Sequence, residues 1–242
     1  MKRLISTTLA LLSISLAVSA TGYRIAVVPI EFQDRSFSDR NAAAKLAEGA
    51  QEYFSRQFSP LRSYSFEVLP TITLPHPHDW YGANSTVRKD ERIHLLAYDA
   101  CALTSIDLSV YDNDGDGIIE NLCFVTAGGS EADGDGAEYI WPQHIYLHER
   151  GGTISVKEKT VDSFSVCTEK SSLGTFCHEF AHSLGLQDLY DTDGSGSGGT
   201  SNGIWGSLSL MDRGGENDGG RTPADFCAIE LEQLGIGSPL PT

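Results

Sequence analysis

Basic side chains are in short supply: 17 Lys and Arg stand against 33 Asp and Glu, for a formal charge of −16. Such a surface is repelled by nucleic-acid phosphates and by anionic lipid, which removes both as partners. Apart from one run at the very start, no apolar stretch is long enough to span a bilayer. Cysteine is limited to Cys101, Cys123, Cys167, Cys177 and Cys227, and no two form a CxxC pair, so a zinc knuckle is excluded. The odd number leaves at least one thiol unpaired or shared with another chain. The set is read mainly as small buried hydrophobes, with one or two bridges at most. No internal repeat is found.

The initial run has a signature of its own. Lys2 and Arg3 precede an apolar stretch from Leu4 to Val18, which closes on Val18-Ser19-Ala20, the small-residue pattern that signal peptidases cut after. No basic flank follows it, as a membrane anchor would require, and no Cys follows the cut, as a lipoprotein would. Residues 1–20 are therefore expected to be an export signal, and the protein to be secreted or periplasmic. Residues 21–242 are expected to form one domain, with an upper lobe over about 21–185 and a lower lobe over about 186–242. Between that cut and a first strand at about Tyr23 lies too little chain to reach a cleft, at about 3.6 Å per residue, so no cleavable prosegment is expected.

Periodicity orders the rest. Tyr23–Phe32 reads as a buried strand. Ser38–Phe58 reads as a helix with Leu46, Ala50, Tyr53, Phe54 and Phe58 on one side. Tyr64–Leu74 reads as a strand bent at Pro70, and Thr86–Leu103 as a helix with Leu96, Ala100 and Leu103 inward. Strands follow at Ile118–Thr126 and Tyr139–Leu147. Gly151-Gly152 then turns into a hairpin of Thr153–Lys159 and Val161–Cys167. Ser172–Leu184 is a third helix. Eleven of the 25 glycines lie between Gly185 and Gly220, which marks that segment as loop. A last helix is signalled by Thr222 as N-cap, Pro223 in the first turn, Asp225 and a Gly235 stop. The class is α/β (α+β): a mixed sheet backed by helices, an active-site helix, and a smaller irregular C-terminal lobe ending in one helix.

Within the third helix lies His178-Glu179-x-x-His182. At about 100° per residue, Leu173, Phe176, Cys177, Phe180 and Leu184 form one apolar stripe, and the two histidines, about 40° apart, lie nearly opposite it. One face can bury against the sheet while both imidazoles face a cleft. Zinc needs a third protein ligand and an open position. In a continued helix Asp188 would sit about 9 Å beyond His182, out of reach. Gly185 can take the left-handed conformation that ends helices, letting the chain fold back and bring Asp188 under the metal. The expected ligands are thus His178, His182 and Asp188, with Glu179 as the general base of a zinc-activated water.

HEFAHSLGLQDLYD at 178–191, followed by GIWGSLSLMDRGG at 203–215, resembles the secreted metallopeptidases of the immune inhibitor A type, relatives of the metzincins. YRIAVVPIEFQD, the WYG at Trp80, VYDNDGDGIIENLCFVTAGG and YIWPQH are similar to other family segments, so the likeness covers most of the mature chain. It implies a metzincin-like zincin fold, a protein or peptide substrate, Asp188 as third ligand and Met211 as the methionine turn beneath the zinc. Some metzincins carry a Tyr two residues after that Met; Arg213 stands there, which excludes a tyrosine from that place.

Asp112, Asp114 and Asp116 repeat positions 1, 3 and 5 of an EF-hand loop, with Gly117 at position 6. Cys123 occupies position 12, so this is no EF-hand. The three carboxylates are candidate ligands for a structural calcium, which Glu120 could complete. Glu131, Asp133, Asp135 and Glu138 read as a solvated loop, His76, His78, His94, His144 and His148 as ordinary loop histidines, and Trp141 and Tyr139 as core or rim packing. The reading is a secreted zinc endopeptidase. Its alternative is an inactive, calcium-stabilised adhesion or binding module on a protease-like fold. The chain ends soon after the last helix, whereas relatives of this type often carry further β-rich domains, so it stands as either a minimal enzyme or an incomplete reading frame.

Overall fold

A computed structural model describes residues 21–192 and 203–236; residues 1–20, expected to be an export signal, lie outside it. Strand β1 (Thr21–Glu31) sends Ile25 and Val27 to one face and Ala26, Val28 and Ile30 to the other, all buried. A strand apolar on both faces belongs in the middle of a covered sheet. It pairs in parallel with β2 (Arg62–Val68) and β3 (Ile72–Thr73) on one side and with β5 (Leu122–Thr126) on the other. Beyond β5 lies β9 (Ser163–Thr168), also parallel, and then β6 (Gln143–Tyr146), antiparallel and at the edge.

One face is covered by α1 (Ala42–Phe58) and α4 (Leu173–Ser183), whose Phe54, Phe58, Phe176 and Phe180 meet Tyr64 and Phe66 of β2. The other is covered by α2 (His78–Gly82), α3 (Ile93–Leu103) and a small sheet of β4 (Ile118–Ile119), β8 (Lys159–Val161) and β7 (Ile154–Val156). A last helix, α5 (Ala228–Gln233), closes the described chain. Three layers with a mixed sheet bear out the expected class. Among the described residues no helix is long and apolar enough to cross a membrane.

Several boundaries differ from the sequence reading, each for a polar reason. The first helix starts at Ala42, because the Glu169 carboxylate takes the N–H groups of Ser38 and Asp39 into a turn. Residues 86–92 are turns, with Asp90 tied to Asn84, and α3 begins only at Ile93. Leu103 is exposed rather than inward. The expected strand Ile118–Thr126 divides between two sheets at Glu120-Asn121. There the Glu120 carboxylate accepts from the Asn113 N–H, and the Asn121 amide donates to Ser165. The hairpin pairs Ile154–Val156 with Lys159–Val161, and the chain then bends at Asp162, whose carbonyl and carboxylate accept from Leu147 and His148, before β9 enters the main sheet.

Thr222 is not the cap of the last helix. The Ala224 N–H donates to the Gly214 carbonyl and Phe226 is buried, so residues 222–226 stay irregular. Cys227 caps α5 in a reciprocal box with Glu230. All five cysteines are free thiols, and Cys123 and Cys167 of the sheet and Cys177 on the buried face of α4 sit in the core, where burial raises their proton affinity and removes their reactivity.

Candidate metal centre and cleft

Ser172 caps α4, its hydroxyl accepting from the Thr175 N–H at 3.1 Å. Phe180 anchors the helix, its ring 4.8 Å from Phe54 and 4.9 Å from Phe66. Truncation to alanine would cost about 3–5 kcal/mol. With that face buried, His178 and His182 point into a cavity of about 430 Å³, with side chains 12% and 19% exposed. Gly174 lets the helix approach the 213–216 turn, where any Cβ would stand 1.8 Å from the Gly215 carbonyl oxygen. Gly185, at φ +92°, ends the helix in the left-handed region, and the Leu189 N–H then docks on the Met211 carbonyl at 2.8 Å. That fold-back delivers Asp188.

The three side chains converge, with ligand atoms all within 4.8 Å of one another. His178 Nδ1 faces the Leu210 carbonyl at 3.1 Å and His182 Nδ1 the Leu186 carbonyl at 2.8 Å. Each Nδ1 therefore carries the donated proton, and each Nε2 turns a lone pair inward. Asp188 Oδ1 lies 2.9 Å from one Nε2 and 3.6 Å from the other, yet it is buried with no hydrogen-bond partner. Two imidazole lone pairs and a carboxylate oxygen crowd together only if a cation, or a proton in its place, lies between them. The donor set of two nitrogens and one oxygen fits zinc. Electrostatics agree. Burial works against a charged His178, but the adjoining Asp188 and Glu179 carboxylates lift its pKa to about 8. Burial likewise opposes the Asp188 charge, and the nearby imidazoles, with the Tyr190 phenol, overcome that and lower its pKa.

Glu179 lines the same cavity; burial pushes it up to about 7 against the pull of His178. Its carboxylate also accepts from the His144 N–H on the edge strand. Met211 is fully buried below. Glu230 of α5, 1% exposed, accepts from the Met211 N–H and the Ser209 hydroxyl, while Asp212 accepts from the Trp205 and Gly206 N–H groups. The turn that orients His178 through Leu210 is thus held by two acidic side chains.

Sequence reading missed Tyr190, His144 and Trp141 as cleft residues. The Tyr190 phenol bonds Asp188, its ring stands 6.2 Å from that of His178, and Arg213 lies over it at 5.1 Å. Its place two residues after the ligand Asp was the available signal. His144 sits 6.2 Å from His182, ring to ring, and burial pulls it down to about 3, so it stays neutral. Nothing in the local sequence of β6 announces that neighbourhood.

Asp112, Asp114 and Asp116 also come together. Glu120 stands outside the group, turned to Asn113. Asp112 is paired with the Lys159 ammonium at 2.7 Å and accepts from the Gly115 and Gly117 N–H groups, which together lower its pKa.

A layered mixed sheet whose HExxH helix meets a fold-back aspartate over a buried methionine is the layout of a zincin-like metallopeptidase domain. Comparison with known proteins makes the assignment specific. The chain belongs to the immune inhibitor A peptidase M6 family: the model of that family's catalytic domain matches residues 23–236. It is 26% identical over 183 residues to Immune inhibitor A of Bacillus thuringiensis subsp. alesti, covering 62% of this chain and 27% of that one. It is 26% identical over 208 residues to the pre-pro-metalloprotease PrtV of Vibrio cholerae serotype O1, covering 70% and 22%. The chain therefore spans about a quarter of the length of these curated relatives. The crystal structure of metalloproteinase-II from Bacteroides fragilis aligns over 92% of this chain and 56% of that one, at 12% identity and a TM-score of 0.47, too loose a likeness to argue from.

Proposed function

We propose that this chain is a zinc-dependent endopeptidase that works outside the cytoplasm, with zinc on His178, His182 and Asp188 and with Glu179 as general base. The observation that carries the reading is the buried, partnerless Asp188 oxygen facing two imidazoles whose Nδ1 atoms are already engaged. Family membership supports a metallopeptidase. The export part rests on the leader at residues 1–20, outside the described structure.

Bound zinc would lower the proton affinity of a water and polarise the scissile carbonyl. The chain's own groups do the rest. Glu179, one residue from His178 and open to the cavity, takes the water's proton and delivers it to the leaving amine. Leu210 and Leu186 hold the imidazoles in the tautomer that leaves Nε2 for the metal. Trp141, Pro142 and Tyr190 wall the cleft.

Calcium enters only as a structural ion on Asp112, Asp114 and Asp116. Their convergence supports it, and the Lys159 ammonium competes for the same charge. Against the binding-module alternative stands Glu179, which a mere metal-braced fold would not need in the cavity.

The test is a peptide-library digest of purified protein with and without chelator, read by mass spectrometry, alongside zinc-edge absorption spectroscopy. Chelator-sensitive internal cleavage with two nitrogen ligands and one carboxylate is expected. Absence of cleavage by zinc-loaded, folded protein would remove the endopeptidase reading, and three protein nitrogens at the zinc would remove Asp188.

A further inference from the structure

Trp141 stands between two cavities of the cleft. It lines the one above the metal ligands and also a neighbouring one of about 410 Å³ that reaches Arg213 and Glu216. The strand β6 begins only at Gln143, so no sheet partner holds this residue, and it is 36% exposed. Its support comes from a distant turn. Asp90, fully buried and at φ +44°, receives the Trp141 N–H on Oδ2 at 2.9 Å, and the Gln143 side-chain amide donates to the same oxygen. Asp90 is itself fixed by its N–H bond to Asn84, at 2.9 Å. The preceding residue, Lys89, places its ammonium 3.0 Å from the centre of the indole and 3.4 Å from Glu131. Two consecutive residues thus grip one tryptophan, by its main chain and by its ring.

That grip is costly. Asp90 Oδ1 is buried without a partner, and burial, with Glu131 adding to it, pushes the carboxyl up to about 7 while the Trp141 and Gln143 bonds and Lys89 pull the other way. Neither Lys89 nor Asp90 lines the cavities, and neither has a bond to a metal ligand or to Glu179.

We propose that Lys89 and Asp90 are positioning residues of the peptide-cleaving site: they fix Trp141, one of the side chains that line both cavities, and so set how tightly a substrate seats across the metal centre. The proposal rests on the endopeptidase reading. Because the pair acts on the wall and not on the proton-transfer groups, its loss falls on KM and spares kcat.

The experiment compares zinc-loaded wild type with Asp90→Ala, Asp90→Asn and Lys89→Met in steady-state cleavage of one peptide. Zinc content and indole emission are recorded for each. Asp90→Ala should raise KM about 10-fold or more, as expected for leaving two donors without their buried acceptor, with kcat within about 2-fold. Lys89→Met should raise KM about 2–5-fold. Asp90→Asn, which keeps the acceptor, should return KM and the emission maximum to the wild-type values. Zinc content should not change. Unaltered KM in both Asp90→Ala and Lys89→Met, or a kcat loss at constant KM, overturns the proposal. If Asp90→Ala does not fold, Lys89→Met, a change on a half-exposed side chain, decides alone. An inactive wild type sinks the endopeptidase reading and this proposal together, whereas an active wild type with unmoved variants sinks only this one.

Discussion

Among the described residues two clusters gather three potential ligand atoms within 4.8 Å, His178–His182–Asp188 and Asp112–Asp114–Asp116, and they differ in what those atoms have left to give. In the first, every competing demand is met elsewhere: each Nδ1 bonds a carbonyl, and a buried carboxylate oxygen remains without a partner. In the second, the carboxylates are turned on their own loop. Asp112 holds two backbone N–H groups and Lys159, and Asp114 and Asp116 accept from the N–H two residues on. Proximity makes both look like chelates. The first cluster keeps spare lone pairs held in place by other bonds, whereas in the second the Lys159 ammonium competes for the charge a cation would take.

The largest expected effect separates chemistry from chelation inside the first cluster. Glu179→Gln should keep about one zinc per chain and lose turnover by roughly 10²–10⁴-fold, measured as peptide cleavage in a metal-quantified preparation. Full activity there would remove the base assignment. Next, Asp188→Ala should weaken zinc by more than the roughly 10–100-fold that losing an outer-sphere partner costs. Asp191→Ala should change it little. A competition titration with a chromogenic chelator compares the two, and equal losses would mean the fold-back matters more than the ligand.

A third buried carboxylate sharpens the contrast. Asp188 has its spare oxygen against two imidazoles and its pKa is lowered, whereas Asp90 has a spare oxygen without a hydrogen-bond partner and is pushed up to about 7, mainly by burial. Because that folded value lies above the ordinary one of about 3.9, the stabilisation from protonated Asp90 is complete below about pH 4 and is lost as the pH rises through about 7. Asp90→Asn should therefore gain Tm relative to the parent between pH 5 and pH 8 in calorimetry. A pH-independent difference would show that Asp90 titrates normally. The smallest effect belongs to the acidic loop. Millimolar calcium should raise Tm by about a few degrees at most, and Lys159→Met, by removing the competing cation, should enlarge that rise. A flat titration in both proteins would leave the loop as a lysine-braced turn.

The HExxH helix was legible because its information is local: histidine spacing, apolar stripe, stop glycine and acidic residue all fall within one short segment, and α4 runs within a residue of the expected span at each end. The same local logic failed at the last helix. There Cys227 and Glu230 outcompeted Thr222 as the cap, because Ala224 and Phe226 were already committed to the Gly214 turn and the aromatic core. It failed again at Ile118–Thr126, an apolar run that two sheets share.

What the amino-acid order alone determined is therefore what short-range geometry dictates: a two-sided central strand, an amphipathic helix with two imidazoles one turn apart, and a glycine that lets Asp188 return beneath them. Only the tertiary structure decided which backbone carbonyls orient those imidazoles, that Tyr190 and His144 stand at the site, and that Lys89 and Asp90 grip Trp141. Leu210 meets His178 from 32 positions along the chain and Asp90 meets Trp141 from 51, and no spacing rule reaches that far. Such contacts depend on how three layers stack, and no involved side chain, viewed in its own segment, points to its distant partner.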